Sequence, residues 1–507
     1  MLKGKIKLSY FALIVSVVNV VLYHLPFYTF VCNNFNVKSL SGILLLISLS
    51  ISAILLNAFV FYIGLYLLRI VGRWILVLFF NINAIAIYFI NTYGVIIDRS
   101  MIGNILNTNF EESSSFFSFT LILYLVFLGI IPSILLIKVK VVRPTIKKFL
   151  IHTSLILIFL LSLAYANAPN WLWIDKNSKT LGAIVMPWSY VVNTCRFYYK
   201  KNKENEKQIL LPDATIENNE KAVAVLVIGE SARSQNFSLY GYEKNTNPLL
   251  SKIENLHHFK AESCATYTTA GVKCILEHKS TNKLYEILPN YLYRNDVEVI
   301  WRTTNWGEPK VQIKNFMSEA ELRKLCEGED CEYDSVLLAG LKEQIRNSDK
   351  NKILIVLHTS TSHGPTYYKK HPERFSVFKP ECKNVELANC TQQELINAYD
   401  NTILYTDYLL ATLIEDLKQL KEYNSLMIFV SDHGESLGEN NLYMHGLPKS
   451  IAPDEQFDIP FIVWTSENAK FISDEKPLEQ HYVFHSVLDF LAVDSPIYDQ
   501  EMSIFKK

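Results

Sequence analysis

The chain has 507 residues, 50% of them hydrophobic, and a formal net charge of −1. This near balance of charge excludes the strongly basic surface by which proteins bind nucleic acids and other polyanions. The hydrophobic residues are concentrated in the first third of the sequence, which therefore differs in class from the rest of the chain.

The first third contains five apolar runs, each long enough to cross a bilayer, which takes about 20 residues. They are roughly Leu8 to Cys32, Leu40 to Leu68, Trp74 to Ile97, Phe117 to Ile137 and Phe149 to Ala166. The first run is not a cleaved signal peptide, because no small-residue cleavage site follows it and further apolar runs do. We predict a five-helix transmembrane domain over residues 1–166.

Basic residues are unevenly distributed among the segments that join these runs. They precede the first run, follow the second, and separate the fourth from the fifth: Lys3, Lys5, Lys7, Arg69, Arg73, Lys138, Lys140, Arg143, Lys147 and Lys148. Segments rich in lysine and arginine stay in the cytoplasm. An odd number of spans then places everything after Ala166 on the opposite side of the membrane.

Residues 167–212 are predicted to form an interfacial linker. Aromatic side chains are followed there by lysines: Trp171, Trp173, Trp188, Tyr190, Phe197, Tyr198, Tyr199, Lys200, Lys201, Lys203 and Lys207. This order is typical of a helix that lies on the membrane surface. An ordinary connecting linker is the alternative.

Six of the eight cysteines form three closely spaced pairs in the outer half of the chain. The pairs are Cys264 with Cys274, Cys326 with Cys331, and Cys382 with Cys390. Close pairs in an oxidising compartment predict disulfides that close short loops. A zinc-finger interpretation fails because the chain has no CxxC spacing, and the states of Cys32 and Cys195 stay open.

Residues 213–507 are predicted to be an α/β domain with a largely parallel sheet, because β-type apolar runs alternate with helical stretches. The candidate strands are Val223 to Ile228, Val297 to Trp301, Ile353 to Leu357, Leu426 to Val430 and Ile459 to Trp464. A long amphipathic helix is predicted before the fourth strand. It opens at Thr391, where Glu394 completes a capping box, and it ends near Leu420.

Potential metal ligands follow three of these strands, where α/β sheets place their ligands. Glu230 follows the first strand, His358 and His363 follow the third, and Asp432 and His433 follow the fourth, with His445 in the next loop. Each has a structural alternative: the Asp-His-Gly sequence suits a turn, Glu230 a helix N-terminus, and His363 a turn. Convergence of two carboxylates and a histidine favours zinc, with a position left for a nucleophile.

The candidate nucleophile lies in the cysteine-bounded segment from Cys264 to Cys274. It contains Thr266, Thr268 and Thr269, and a hydroxyl bound to zinc has a lowered pKa and can attack phosphorus. The alternative is that these threonines only pack or bond to backbone in a closed loop. The residues by themselves do not choose among the three hydroxyls.

Four motifs together carry a resemblance to a known family. They are Gly229-Glu230-Ser231-Ala232-Arg233, Cys264-x-Thr266-x-Thr268, His363-Gly364-Pro365-Thr366-Tyr367-Tyr368, and the run from Ser431 to Asn440. The combination resembles the phosphoethanolamine transferases of Gram-negative envelopes, which include lipid A modifiers and colistin-resistance enzymes. The resemblance covers nearly the whole chain and implies five spans, a linker and an alkaline-phosphatase/sulfatase-like α/β/α domain in the periplasm of an inner-membrane protein.

The resemblance also implies roles for individual residues. Glu230, Asp432 and His433 match the zinc ligands, and Thr268 matches the nucleophile, the second threonine of Cys-x-Thr-x-Thr. The remaining matches are to a substrate pocket: His363 and His445, which would hold the substrate phosphate, a second zinc or the leaving-group proton, together with His358 and Asn305. The implied reaction is ping-pong transfer of phosphoethanolamine from phosphatidylethanolamine to lipid A or another envelope acceptor, with Zn²⁺ as cofactor.

Two departures from many relatives concern the substrate. Gly271-Val272-Lys273-Cys274-Ile275 stands where they have a Ser-Val-Pro-Cys-Met type sequence, so Lys273 would either add positive charge beside the phosphate or face solvent. Thr303, Thr304 and Trp306 replace a more polar stretch. Three alternative functions are a lipoteichoic-acid-type glycerolphosphate transferase, a sulfatase-like phosphohydrolase, and a non-catalytic membrane sensor. The chain lacks the Cys/Ser-x-Pro-x-Arg setting of a sulfatase, and all expected ligand positions are filled.

Overall fold

A computed structural model describes residues 5–35, 37–108, 110–166, 170–204, 208–281, 283–449, 451–473 and 476–506 of the chain. The chain forms two compact units, Met1–Lys201 and Asn202–Lys507. Most of the interval predicted as an interfacial linker contributes helices to the first unit, while residues 167–169 and 205–207 of that interval lie outside the described residues.

The first unit is helical, with one short parallel strand pair. Its elements in chain order are β1 Ile6–Lys7, α1 Leu8–Tyr23, α2 Leu25–Asn34, α3 Leu40–Leu68, α4 Ile70–Tyr93, α5 Arg99–Asn107, α6 Phe110–Ser115, α7 Phe119–Tyr124, α8 Ile131–Lys138, β2 Val141–Val142, α9 Ile146–Ala166, α10 Trp171–Lys176, α11 Ser178–Ile184 and α12 Trp188–Glu204. A π-helical turn, Leu125–Ile130, joins α7 to α8 into one continuous rod.

Four helices in the described part of this unit are long and apolar enough to cross a membrane: α3, α4, the α7–α8 rod and α9. They correspond to the second to fifth predicted runs. The first predicted run is broken into α1 and α2, which are bent by 64° and make a fifth span only if the pair is counted as one. Pro26 stands in the first turn of α2, where its missing N–H leaves no helical bond unmade.

Buried polar side chains join the start of α12 to the transmembrane helices. The Asn19 amide donates to the Met186 carbonyl at 2.9 Å, and Trp188 Nε1 donates to Asn57 Oδ1 at 2.7 Å. Asn83 Nδ2 in turn donates to Asn19 Oδ1 at 2.8 Å. Because these groups are removed from water, their bonds fix α12 against α1, α3 and α4.

The second unit is an α/β domain. Its strands are β3 Thr215–Ile216, β4 Ala222–Gly229, β5 Leu256–Glu262, β6 Glu298–Thr303, β7 Asn315–Ser318, β8 Lys352–His358, β9 Asn424–Ser431, β10 Ser436–Leu437, β11 Tyr443–Met444, β12 Asp458–Thr465, β13 Leu478–Glu479 and β14 Val493–Asp494. Its helices are α13 Thr268–Leu276, α14 Leu288–Arg294, α15 Glu319–Leu322, α16 Leu341–Arg346, α17 Gln392–Lys418 and α18 Tyr482–Phe490.

Eight of these strands form one central sheet with the order β13-β5-β12-β9-β4-β8-β6-β7. The run from β9 to β7 is parallel, as predicted, whereas β12 is antiparallel to both β9 and β5, so the sheet is mixed. All five predicted strands are present, and the Thr391–Glu394 capping box at the start of α17 is confirmed. Strands β5, β7 and β13 were not predicted.

The core lies on both faces of β4 and β8, whose residues are all buried. Alternate apolar side chains of β4 and β9 pack with α13, α14 and α18 on one face. Helix α17 packs beside β9. This arrangement buries the strands that carry the polar loops and leaves the loops at one edge of the sheet.

The three predicted disulfides are confirmed: Cys264–Cys274, Cys326–Cys331 and Cys382–Cys390. Cys32 and Cys195 are exposed free thiols. The first disulfide ties the segment before α13 to the body of that helix, because its two Cα atoms are 6.5 Å apart.

Candidate active site

The site begins where β4 and β9 end side by side. The strands are parallel neighbours, and Gly229 is paired with Ser431, so Glu230 and Asp432 leave the sheet at the same point. Ser231 follows in a left-handed backbone conformation, with φ at 52°. Its N–H donates to Asp432 Oδ1 at 3.1 Å, which joins the two strand ends directly.

Helix α13 brings the predicted nucleophile to these strand ends. Thr268 is the first residue of the helix and is buried. One turn later, a Cβ added to Gly271 would lie 2.1 Å from the carbonyl oxygen of Asp432. The backbones therefore approach more closely than any side chain permits. Thr268 Oγ1 lies 3.3 Å from Glu230 Oε2 and 3.4 Å from His433 Nε2.

His433 Nε2 is central to the cluster, 3.4 Å from Glu230 Oε1 and 3.3 Å from Asp432 Oδ2. Its other nitrogen, Nδ1, lies 2.9 Å from the Gly434 carbonyl and so donates there, which leaves the Nε2 lone pair facing the carboxylates. Ligands of a tetrahedral zinc at about 2.0–2.1 Å lie about 3.3–3.4 Å from one another.

Asp432 Oδ2 has no hydrogen-bond partner among the described residues, although it is buried. A buried carboxylate oxygen without a donor is costly unless a cation binds it. The donor set of two carboxylates, one imidazole and one hydroxyl, at these separations, fits a tetrahedral zinc site.

The two carboxylates influence each other's ionisation. Burial opposes ionisation of Glu230, but the rings of His433, His363 and His445 hold its pKa below the usual range. Burial, followed by repulsion from Glu230, raises the pKa of Asp432 well above its usual value. Two carboxyl groups so close together in a buried place can both be ionised only if a cation lies between them.

His445 and His363 lie beside the cluster. The His445 ring is 4.2 Å from the His433 ring and 5.5 Å from the His363 ring, measured between centroids. His445 Nδ1 lies 2.7 Å from Glu435 Oε2, and Tyr367 donates its hydroxyl to Glu435 Oε1 at the same distance. Burial raises the pKa of Glu435 to about 7.

Asn305 reaches the predicted metal ligands, whereas His358 lies deeper. Asn305 Nδ2 donates to Glu230 Oε2 at 2.7 Å and to the Thr359 carbonyl at 2.8 Å. His358 is the last residue of β8 and is fully buried, with Nδ1 3.7 Å from Glu308 Oε2. His358 thus lies at the end of β8, directly before the loop that contains His363.

Lys273 is engaged with groups of its own helix and the segment after it. Its ammonium lies 3.0 Å from Glu277 Oε1 and donates to the Thr281 carbonyl at 3.3 Å. It stands five residues after Thr268, near the end of α13. The suggestion that Lys273 contacts a substrate phosphate stays a prediction.

Several site residues had no role in the sequence analysis. Ser231 Oγ donates to Glu230 Oε1 at 2.8 Å, and Glu435 holds His445. Arg233 is buried, pairs with Glu439 Oε1 at 2.7 Å and donates to the Glu435 carbonyl at 3.1 Å. All four stand inside the motifs Gly-Glu-Ser-Ala-Arg and Ser-Asp-His-Gly-Glu-Ser-Leu-Gly-Glu, which was the only signal for them.

Two family profiles match the chain. The profile described as phosphoethanolamine transferase EptA/EptB covers residues 54–202, and the sulfatase profile covers residues 222–493. Phosphoethanolamine transferase EptA of Helicobacter pylori is 40% identical over 97% of this chain and 96% of its own length. Phosphatidylethanolamine transferase Mcr-1 of Escherichia coli is 33% identical over 79% of each chain.

A solved structure agrees over the same extent. The integral membrane lipooligosaccharide phosphoethanolamine transferase A of Neisseria meningitidis matches with a TM-score of 0.88, at 26% identity and over 99% of both chains. The apolar helices and this match make the protein an inner-membrane protein whose catalytic unit lies in the periplasm. The extent of these matches and the strand-end cluster lead to one conclusion: the chain belongs to the phosphoethanolamine transferases, membrane enzymes whose outer domain has the alkaline phosphatase and sulfatase fold.

Proposed function

We propose that the protein transfers phosphoethanolamine from phosphatidylethanolamine to a phosphate of lipid A, or to another envelope acceptor, through a covalent adduct on Thr268. The observation that carries the proposal is the position of Thr268 Oγ1, 3.3 Å from Glu230 Oε2 and 3.4 Å from His433 Nε2, beside the unpartnered Asp432 Oδ2 of the described site. A relative named for phosphatidylethanolamine and another named for lipooligosaccharide support the donor and the class of acceptor.

Glu230, Asp432 and His433 would hold one zinc ion, with the Thr268 hydroxyl as the fourth ligand. When bound, zinc would lower the pKa of that hydroxyl and stabilise negative charge on the donor phosphate. Asn305 donates to Glu230 Oε2 and orients the carboxylate. Such bonds to a ligating group raise both metal affinity and activity.

In the first half-reaction the Thr268 hydroxyl gives up its proton to solvent, Thr268 Oγ1 forms a bond to phosphorus, and the bond from phosphorus to the glycerol oxygen breaks. The departing diacylglycerol oxygen needs a proton. Glu435 accepts a hydrogen bond from His445 Nδ1, so His445 Nε2 is directed away from Glu435. We assign His445, with both ring nitrogens protonated, to donate its Nε2 proton to the departing oxygen. His363 stands beside it, in a place to bind a phosphate oxygen.

In the second half-reaction an oxygen of the acceptor phosphate attacks the same phosphorus. The bond between phosphorus and Thr268 Oγ1 breaks, Thr268 takes up a proton from solvent, and phosphoethanolamine is joined to the acceptor. Donor and acceptor are both lipids, so a membrane anchor raises their effective concentration at the site.

Peptide mass spectrometry of the full-length protein, purified from membranes that contain phosphatidylethanolamine, tests the proposal. We expect a phosphoethanolamine adduct on Thr268, and we expect Thr268→Ala to abolish both the adduct and diacylglycerol release. Thr269→Ala is the matched control, because it removes the next hydroxyl of the same helix and keeps the contacts of Thr268 with Glu230 and His433. An adduct on Thr266, or activity that survives Thr268→Ala, would refute the assignment, and a glycerol phosphate adduct would support the glycerolphosphate transferase alternative.

A further inference from the structure

Two loops of the site are hydrogen-bonded to the same buried carboxylate, Asp334. One loop follows β6 and contains Thr304 and Asn305; the other follows β8 and contains Ser360 and Thr361. Asp334 is only 3% exposed and comes from a separate segment between these strands. Nothing in the sequence motifs pointed to it.

The carboxylate is satisfied by neutral donors from both loops. Thr304 Oγ1 donates to Oδ1, and Thr361 Oγ1 donates to Oδ2. From the same loop as Thr361, the Ser360 N–H donates to Oδ2 at 2.8 Å and the Ser360 hydroxyl donates to Oδ1 at 3.3 Å. A buried charge that depends on hydrogen bonds fixes its donors firmly, because losing any of them leaves the charge less solvated.

Asp334 is itself held from the opposite side. The Ser335 N–H donates to the hydroxyl of Tyr405, a fully buried residue of α17, at 2.9 Å. Arg302 of β6 donates to the carbonyls of Leu337 at 2.9 Å and Ala339 at 2.7 Å. The segment that carries Asp334 is therefore hydrogen-bonded to α17 and β6 as well as to the two loops.

The first loop connects Asp334 to Glu230, a predicted metal ligand, through Thr304 and Asn305. The Thr304 N–H donates to the His358 carbonyl at 3.1 Å, and its hydroxyl is held by Asp334. The next residue, Asn305, then places its amide on Glu230 Oε2 at 2.7 Å. In the second loop, the His363 N–H donates to the Ser360 carbonyl at 3.3 Å, so the same carboxylate sets the start of the turn that carries His363.

We propose that Asp334 is a positioning residue for the transferase site, which holds Asn305 against Glu230 and fixes the turn that leads to His363. It touches no reacting atom, and its effect on transfer rests on the proposed function of Glu230 and His363. Its effect on the two loops does not depend on that function.

The test uses the full-length protein with Asp334→Asn, because an amide keeps the shape but presents an NH₂ group to hydroxyl and amide donors. We expect faster hydrogen exchange at the Ser360 amide and in the peptides around residues 303–308 and 357–364. We also expect about a tenfold loss of zinc affinity, which is the usual range for groups that orient a metal ligand. The KM for the donor should rise as well, since His363 is displaced.

Asp407→Asn is the matched control, because Asp407 is equally buried but accepts from the Leu249 and Leu250 amides, which lie outside these two loops. It should lower the melting temperature while leaving exchange in the two loops, zinc affinity and donor KM unchanged. The proposal would be overturned if Asp334→Asn lost stability as Asp407→Asn does but kept the hydrogen exchange of the two loops and the zinc affinity of the wild type.

Thr304→Val and Thr361→Val remove one donor each and serve if Asp334→Asn does not fold. Each single variant should show part of the faster hydrogen exchange expected for Asp334→Asn. When either substitution is combined with Asp334→Asn, exchange in the two loops should be no faster than in Asp334→Asn alone. Unchanged exchange in both single variants would also overturn the proposal. If the wild-type protein binds no zinc, the proposed function fails, but the exchange comparison still decides the role of Asp334.

Discussion

Two buried carboxylates facing one imidazole define the centre of the site at the residue scale. Asp432 Oδ2 and Glu230 Oε1 both lie within 3.4 Å of His433 Nε2, and Ser231 bridges the strand ends by donating to each acid. Two ionised acids buried this close together repel each other unless a cation lies between them. This geometry supports the proposal that these side chains hold a metal ion.

Lys273 gives a prediction about pH at this scale. Burial raises the pKa of Glu277 from 4.5 to about 6, and the Lys273 ammonium opposes that rise. Because the folded pKa exceeds the unfolded one, the stability that Glu277 contributes at low pH is lost as pH rises from 4.5 through about 6. Lys273→Met should raise the folded pKa further and enlarge this loss.

Denaturant unfolding measures the free energy of unfolding of Lys273→Met and of the wild type. The variant should be less stable by about 1 kcal/mol near about pH 8, and the two proteins should differ little near about pH 4. Lys421→Met, at an exposed position, is the control. A difference that is the same at both pH values would contradict the pairing with Glu277. The donor KM of the same variant shows whether Lys273 also contacts substrate.

Only part of the site could be predicted from sequence. The convergence of Glu230, Asp432 and His433 was predictable because polar residues directly after parallel strands meet at one edge of a sheet, whereas their role in metal binding stays a prediction. The side chains that contact these residues and their loops could not be predicted. Ser231 and His445 contact each other although they are 214 residues apart, and Asp334 sits in a segment with no motif. Such contacts depend on the three-dimensional path of loops, which leaves no local pattern.

At the element scale, the approach of α13 to the end of β9 places the Thr268 hydroxyl beside Glu230 and His433, the proposed metal ligands. Gly271→Ala tests this approach, because its Cβ would meet the Asp432 carbonyl at 2.1 Å and push the helix away. We expect zinc affinity and transfer to fall at least about tenfold, since a displaced hydroxyl and a displaced Asp432 both weaken the site.

Gly182→Ala is the control for that prediction. Gly182 is in helix α11, and a Cβ there would meet nothing within 4 Å, so activity should be retained. Zinc titration and a transfer assay on both variants make the comparison. Normal zinc affinity and activity in Gly271→Ala would show that the close approach is not needed.

The disulfide Cys264–Cys274 should hold the same helix start in place. The pair closes a loop of ten residues, and the chain-entropy model assigns about 2 to 3 kcal/mol to such a closure. The double variant Cys264→Ser/Cys274→Ser should lose stability by about this amount and lose transfer activity. Removing Cys326–Cys331 should lower stability without an equal loss of activity, because that loop does not carry Thr268. Equal losses of activity in both would argue against a role in the site.

The elements themselves were predictable where their pattern was strong. Strands β4, β8 and β9 are continuous apolar runs, whereas β5 reads Leu-His-His-Phe-Lys-Ala-Glu and buries only Phe259 and Ala261, so its signal was weak. The bend between α1 and α2 was missed for another reason. Pro26 stands inside an apolar run whose length alone suggested one span.

At the scale of the whole molecule, each unit has its own hydrophobic core. The outer unit, Asn202–Lys507, has the central sheet and its helices as a core, and the membrane unit packs around residues such as Phe80 and Tyr23. Separate cores predict that the outer unit folds alone. The residues proposed for metal binding and catalysis all belong to the outer unit, so we expect that its chemistry can be tested apart from its delivery of lipid substrates.

Separation of the two units tests that division. The fragment Asn202–Lys507 should bind zinc with the affinity of the full chain, because Glu230, Thr268, Asp432 and His433 all lie within it. Its rate of transfer from phosphatidylethanolamine in vesicles should fall by about a hundredfold, since confinement to the membrane supplies an effective concentration that a soluble fragment lacks. A short-chain donor dissolved in water should show a much smaller difference between fragment and full chain. Equal rates on vesicles would mean that the membrane unit does not deliver substrate, whereas equal losses on both donors would mean that it shapes the site itself.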